Sequence, residues 1–303
     1  MTRPTIDIAC SCDDKFAQHA GVVVASALAT AREPRRLRFW ILTAGLSDEN
    51  QAALREIAED AGAALHVIPV DVRRLHGAPV SGHITLASYF RIFLPELLPA
   101  DVDQLVYLDA DVVVRRDLAE LIAVDLGAQP LGAVINPRFA RWESLGIDPA
   151  MGYFNAGVLL INLAVWRAEN LQGRLCDVIA TKAHLLTLHD QDALNLTVAG
   201  RWVRLDPRWN QQYSFYLLGG RKLGLGFGHY LRLLTSPYIV HYSGSSKPWF
   251  FADDHPFRHL YYRHLEQTPK AGWRPKPGEP KDWIRKVVRF FVPHRMRSTL
   301  FGW

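Results

Sequence analysis

Two aspartates, Asp109 and Asp111, interrupt the otherwise apolar run QLVYLDADVVV, Gln104 to Val114. In an extended chain, residues two apart point to the same side. The spacing therefore turns both carboxylates one way and Leu108, Ala110 and Val112 the other. Like charges that close repel, and unpaired carboxylates on a buried strand are costly. A hard divalent cation between them is the simplest compensation, because such ions prefer oxygen donors. The same pair also suits a strand end turning into solvent.

A third ligand is available in YIVHYSGSSKPW, Tyr238 to Trp249, where an extended reading puts His241 on the side opposite Val240 and Tyr242. The run then breaks at Gly244-Ser245-Ser246-Lys247. Small residues there expose backbone N–H groups to an anion, and Lys247 can reach the same phosphates. A lone strand histidine is equally an ordinary hydrogen-bonded core residue. Other polar groups could grip sugar hydroxyls: Asn155 at the head of YFNAGVLLINLAVW, Asp190 and Gln191 in HDQDALN, and Arg91 in SYFRIF. Each has a structural alternative. Asn155-Ala156-Gly157 suits a turn, Asp190 and Asp192 suit the positive first turn of a helix, and Arg91 could snorkel to the surface.

The elements that must position these groups are legible in outline. TIDIACS reads as a first strand, AQHAGVVVASALATA as a helix, LRFWILTAG as a second strand and ALHVIPV as a third. Between the last two, Ser47 is a plausible N-cap, Asp48 and Glu49 occupy the first turn, and Leu54, Ile57, Ala58 and Ala61 recur at helical spacing until Gly62. LASYFRIFLPELLP reads as a helix just before the aspartate strand. Alternating strands and helices imply an α/β fold with a mixed, mainly parallel sheet flanked by helices. Such sheets bind ligands at the carboxyl ends of their strands, so Asp13 after the first strand shares a crevice with Asp109 and Asp111. Neither GxGxxG nor GxxxxGK[ST] occurs, so a bound nucleotide would need its phosphates neutralised by a metal rather than a glycine cradle.

With 303 residues and 49% hydrophobic content, the chain can bury a substantial core. Cys10, Cys12 and Cys176 form no paired framework and are expected to pack as reduced residues, which suggests a cytosolic setting. No charged leader or membrane-length apolar run is evident. The net charge of +5 hints at nucleic acid until it is located: residues 270–303 hold nine Lys or Arg against two Asp or Glu, which leaves −2 for residues 1–269. No nucleic-acid partner is therefore expected. The division implied is a catalytic domain, residues 1–269, and a basic, aromatic extension, residues 270–303. Within the extension, DWIRKVVRFFV spaces Trp283, Ile284, Val287, Val288 and Phe291 as one helical face, suited either to an anionic membrane surface or to docking on the body.

In order, CDDKFA, HITLASYFRI, YLDADVVV, YFNAGVLLINLAVW, LHDQDALN and HYSGSSKPW resemble glycosyltransferase family 8 over roughly residues 5–250, in particular bacterial lipopolysaccharide and lipooligosaccharide galactosyl- and glucosyltransferases related to glycogenin. The resemblance implies a GT-A fold, a UDP-hexose donor, a glycan or glycolipid acceptor, retention of anomeric configuration and Mn2+, with Mg2+ as the alternative ion. It assigns the metal to Asp109, Asp111 and His241, the diphosphate to Gly244 and Lys247, and the uracil to Asp13. Arg91, Asn155, Asp190 and Gln191 would hold the donor sugar, and His83, Ile84, Ala110 and Ala156 would line the donor. Lys15 departs from the family, where Asn is frequent. The family's basic C-terminal tails imply a cytoplasmic enzyme held peripherally at the inner face of the cell membrane.

Retention requires either a covalent intermediate or attack from the leaving group's own face. Gln191 stands where a nucleophile would be wanted, with Asp190 beside it, and an amide is a poor nucleophile. Same-face attack is the reading favoured, with Gln191 stabilising the oxocarbenium-like centre. Two rivals remain at this level. A haloacid dehalogenase-type phosphohydrolase would use Asp109 as its nucleophile, and a non-catalytic UDP-sugar-binding envelope protein would bind without turnover.

Overall fold

The computed structural model describes residues 4–75, 77–80, 85–244, 246–279, 282, 283, 286 and 287. The expectations for His83, Ile84 and most of the basic extension lie outside these residues. Among the described residues ten strands are formed: β1 Ile6–Ser11, β2 Leu37–Thr43, β3 Ala64–Pro69, β4 Gln104–Leu108, β5 Val112–Val114, β6 Leu131–Ile135, β7 Phe154–Asn162, β8 Val203–Arg204, β9 Gln211–Gln212 and β10 Ile239–His241. Seven make one sheet in the order β3-β2-β1-β4-β7-β6-β8, and three make a second in the order β5-β10-β9. In the large sheet β1, β2, β3 and β4 run parallel, β7 is antiparallel to β4 and β6, and β8 is parallel to β6. The order reverses at β1, which has β2 on one side and β4 on the other; a crevice opens at that switch point.

Alternation along the strands divides the core between two faces. On β4, Val106 and Leu108 pack with Ile8 and Cys10 of β1 and with the helix Ala17–Thr30. Leu105 and Tyr107 face the other way, toward the turns around Phe90 and the helix Leu171–Lys182. Each such fully buried aliphatic side chain is worth roughly 1.5–3 kcal/mol. The helix Asp48–Glu59 starts as its sequence implies, with Ser47 Oγ accepting the Asn50 N–H at 3.3 Å.

Three local readings are corrected. The expected helix over residues 86–99 is a 3-10 helix, Leu86–Phe93, followed by a single α turn, Leu94–Leu97. Pro95 accounts for the break at its end, because it has no N–H to give the carbonyl of Arg91; the Leu94 N–H takes that carbonyl instead. Next, LAVW does not continue β7: the Asn162 side chain accepts the Val165 N–H at 3.1 Å and caps the helix Leu163–Ala168. Finally, the aspartate run is not one strand. β4 ends at Leu108 and β5 begins at Val112 in the other sheet, so Asp109-Ala110-Asp111 is the joint between sheets.

Cys10 and Cys12 are buried free thiols, pushed up by burial, Cys12 to about 12. No described helix is long and apolar enough to cross a membrane. The start of the basic extension lies against the body: Lys270 pairs with Glu49 at 2.9 Å and Arg274 with Glu266 at 2.8 Å.

Candidate active site

The joint positions the two acids from opposite sides. The Asp109 N–H donates to Gly157 O of β7 at 2.8 Å, whereas Asp111 O accepts the Tyr242 N–H just beyond β10 at 3.0 Å. Their side chains still converge. Ligand atoms of Asp109, Asp111 and His241 all lie within 4.8 Å of one another. Gly157 floors this cluster: a Cβ there would overlap the His241 ring and come within 2.9 Å of Asp109 Oδ2. The glycine is required by that close approach, and β7 supplies it at the carboxyl end of β4.

Each acid has its own cation. Arg91, 2% exposed, donates to Asp109 Oδ1 at 2.7 Å, to Ser88 O at 2.9 Å and to Ala156 O; its Nε lies 3.1 Å from Asp190 Oδ2. The guanidinium also sits 4.1 Å from the centre of the Tyr107 ring. Burial alone would lower its pKa, but Asp109 and Asp190 outweigh burial and raise it. Arg91 is therefore no surface arginine. On the other side Lys247 Nζ donates to Asp111 Oδ2 at 2.5 Å and to Tyr242 O at 2.8 Å. Burial pushes the Asp111 carboxyl up, yet Lys247 holds it well below the usual carboxylate range. Gly244, at φ +100°, makes the turn that returns Lys247 to the cluster.

A chain of amides determines how His241 is presented. The backbone N–H of Ala156 donates to Gln191 Oε1, and that of Gly157 donates to Asn155 Oδ1, each at 3.0 Å. Backbone nitrogens can only donate, so both side-chain oxygens are identified by them. Asn155 then gives its Nδ2 to Gln191 Oε1 at 3.0 Å, and Asn210 gives its Nδ2 to Asn155 Oδ1 at 2.8 Å. What remains for His241 Nδ1, 2.9 Å away, is Asn210 Oδ1, an acceptor; Nδ1 must carry the proton. Nε2 faces Asp111 Oδ1 at 3.3 Å, and that oxygen is buried with no hydrogen bond of its own. In the neutral ring Nε2 turns a lone pair toward that carboxylate, and a cation placed between them would join the two. The donor set therefore fits a divalent ion with mixed oxygen and imidazole preference. Sequence reasoning missed Asn210, since no spacing in WNQQYSFYLLGG marks it as a partner of His241.

The helix Asp190–Val198 separates its two acids by role. Asp192 is fully buried and structural: it accepts from Arg141 and the Leu188 N–H, both at 2.7 Å, and from Tyr153 OH at 2.5 Å. Asp190 faces Arg91 instead, and burial, only partly offset by Arg91, pushes its carboxyl up to about 6. The chain enters this helix through His189 at φ +54°, strain of the kind that persists where the surroundings dictate it. Gln191 Nε2 lies 3.2 Å from Tyr153 OH.

Arg91, Asp109, Asp111, Asn155, Gly157, Asp190, Gln191, His241 and Lys247 border one cleft of about 1140 Å³. Asp13, Ala110, Ala156 and Gly244 line it as well, and Lys15 does not. Asp13 also accepts the Phe16 N–H at 3.0 Å. Gln212, Tyr213, Leu217 and Leu218 of the WNQQYSFYLLGG stretch form a further wall.

Residues 7–253 match the protein family described as Glycosyl transferase family 8. General stress protein A of Bacillus subtilis (strain 168) is 30% identical over 261 residues, which cover 84% of this chain and 91% of that protein. Lipopolysaccharide 1,3-galactosyltransferase of Salmonella typhimurium is 27% identical over 272 residues, covering 87% and 78% respectively. A crystal structure of the galactosyltransferase LgtC in complex with donor and acceptor sugar analogs has the same fold, with a TM-score of 0.78 at 28% identity over 93% of this chain and 100% of that one.

Proposed function

The chain belongs to glycosyl transferase family 8, and from that premise we propose that it moves a hexose, galactose or glucose, from a UDP-sugar to a lipopolysaccharide-type or other glycan acceptor with retention of configuration. The observation that carries the metal assignment is the buried, unbonded Asp111 Oδ1 opposite His241 Nε2, with Asp109 completing the set. Mn2+, or Mg2+ in its place, would be held by Asp109, Asp111 and His241. Bound there, the ion would supply Lewis-acid stabilisation of charge developing on a departing diphosphate.

The other roles follow from the chain's own groups. Lys247, carried on the turn at Gly244, is the cation able to follow negative charge from Asp111 to the diphosphate. Arg91, Asp190 and Asn155 border the space for the hexose, and Asp13 borders the space for the base. Gln191 Oε1 already accepts two N–H groups, which makes it a still poorer nucleophile than a free amide. This favours same-face attack, in which Gln191 acts electrostatically on the anomeric centre. A sugar found covalently attached to Asp190 or Gln191 by mass spectrometry of a trapped reaction would overturn that route. The phosphohydrolase alternative would need Asp109 free to attack, and Arg91 engages it.

UDP release measured across a panel of UDP-hexoses with Mn2+, with and without a lipid-linked glycan, tests the reading. Expected is release with one hexose, stimulated by acceptor and abolished by chelator. No release from any UDP-hexose would sink transfer, and UDP binding indifferent to divalent metal in calorimetry would sink the metal assignment.

A further inference from the structure

Between Asp206 and Asp253 the chain contains no Asp or Glu, yet Arg208, Arg221, Lys222, Arg232 and Lys247 fall in that interval. Arg208 is paired with Asp206 and Lys247 with Asp111. Among the described residues Arg221, Lys222 and Arg232 are exposed and make no ion pair. They surround the helix Phe227–Thr235, whose outward stripe is apolar: Phe227 is 81% exposed and Leu231, one turn on, 47%. The opposite face fixes the helix to the protein. Leu233 is buried in the core, and Tyr230 OH donates to Leu218 O at 2.7 Å and lies 3.2 Å from Phe215 O. Leu217 and Leu218 line the cleft, so the helix that carries the exposed stripe is fastened to one wall of it.

We propose that the stripe of Phe227 and Leu231, with Arg221, Lys222 and Arg232, is a docking surface for an anionic lipid bilayer, which brings the cleft mouth to the membrane. Apolar side chains beside unpaired cations are the pattern of interfacial helices, in which the apolar face enters the acyl boundary and the cations meet anionic headgroups. Charge complementarity selects this occupant. The basic C-terminal extension, net +7, and a second copy of this chain would each bring positive charge to a positive face. Phe227 stands off a convex helix rather than lining a groove, which suits a deformable surface better than an acidic peptide. The proposal takes from the transfer reading only the expectation of a lipid-borne acceptor.

Co-sedimentation of the full chain with phosphatidylcholine vesicles, with and without phosphatidylglycerol, tests this in the absence of any sugar, so it can fail while UDP release stands. Expected is partition only with phosphatidylglycerol, weakened about tenfold or more by Arg221→Glu with Lys222→Glu and several-fold by Phe227→Ser with Leu231→Ser. Equal weakening by Arg285→Glu with Lys286→Glu in the extension, and none by the helix variants, would transfer membrane binding to the extension and overturn the proposal. So would absence of partition, equal partition into both vesicles, or a parent dimer that Phe227→Ser dissociates. As a check independent of altered folding, Phe227→Cys in a Cys176→Ser background, with Cys10 and Cys12 buried, carries an environment-sensitive dye. Its emission must shift to the blue on phosphatidylglycerol vesicles, and no shift refutes the contact.

Discussion

Asp109 and Asp111 are separated by one residue and are tied to different sheets. Asp109 is tied to β7 and neutralised by Arg91, a cation held by two carbonyls, a second carboxylate and an aromatic face. Asp111 is tied to the segment after β10 and neutralised by Lys247, a cation on a glycine turn at the edge of the cleft. The first partnership is part of the core, and the second can be exchanged. The difference teaches that a paired acid motif need not share its charge compensation. One acid can be permanently satisfied while the other keeps a site for an incoming ion.

Arg91→Met should break the comparison most severely. It leaves Asp109 and Asp190 without their common cation, and loss of one partner from a buried ionic cluster costs about 3–5 kcal/mol. Urea unfolding should show that loss, and added Mn2+ should not restore it. Asp190 gives the next largest effect, through pH. Its folded carboxyl is raised to about 6 from 3.8, so the folded state binds the extra proton; stability from this group is present at low pH and lost as pH rises through about 6. The swing is on the order of 3 kcal/mol, and Asp190→Asn should flatten the corresponding slope of unfolding free energy in metal-free protein. A slope unchanged by that substitution would place the titration elsewhere.

Lys247→Met sharpens the contrast from the other side. It should cost about 2 kcal/mol in metal-free protein, and Mn2+ at a hundredfold excess over its Kd should return about 2.7 kcal/mol, because an ion can replace the ammonium on Asp111. Thermal melts with and without Mn2+ measure the rescue, and failure of rescue would make Lys247 as structural as Arg91. Asn210→Leu should have the smallest effect on folding but lower Mn2+ affinity about 10–100-fold in calorimetry, since nothing would then hold the proton on His241 Nδ1. Unchanged affinity would show that the ring is oriented without Asn210.

Much of this was legible from residue types. The Asp109, Asp111 and His241 set comes together as the sequence suggested, and Asn155, Asp190, Gln191 and Arg91 border the same cleft. The parallel β1, β2 and β3 follow from alternating apolar runs and a capped helix between them. What escaped depends on tertiary partners. Val112, Val113 and Val114 continue the apolar character of β4, so local pattern cannot reveal that they pair with Ile239, Val240 and His241 in another sheet. The stretch 86–93 carries a helical pattern, but it forms a 3-10 helix, and Pro95 denies the Arg91 carbonyl the N–H that an α-helix would give it. Asn210 matters only because of what Ala156 and Gly157 do to Asn155, a relation between segments more than fifty residues apart. Asp190 and Asp192 are equivalent by helix-dipole reasoning, and only the arrival of Arg91 at one and Arg141 at the other distinguishes them.

The joint at Ala110 gives ion affinity a second meaning. With a single residue spanning the seam, slippage of β10 along β5 by one position would carry His241 about 3.3 Å from its station and scatter the chelating atoms. Only correctly seated sheets can therefore capture the cation, which makes metal uptake a gauge of assembly as well as a step toward chemistry.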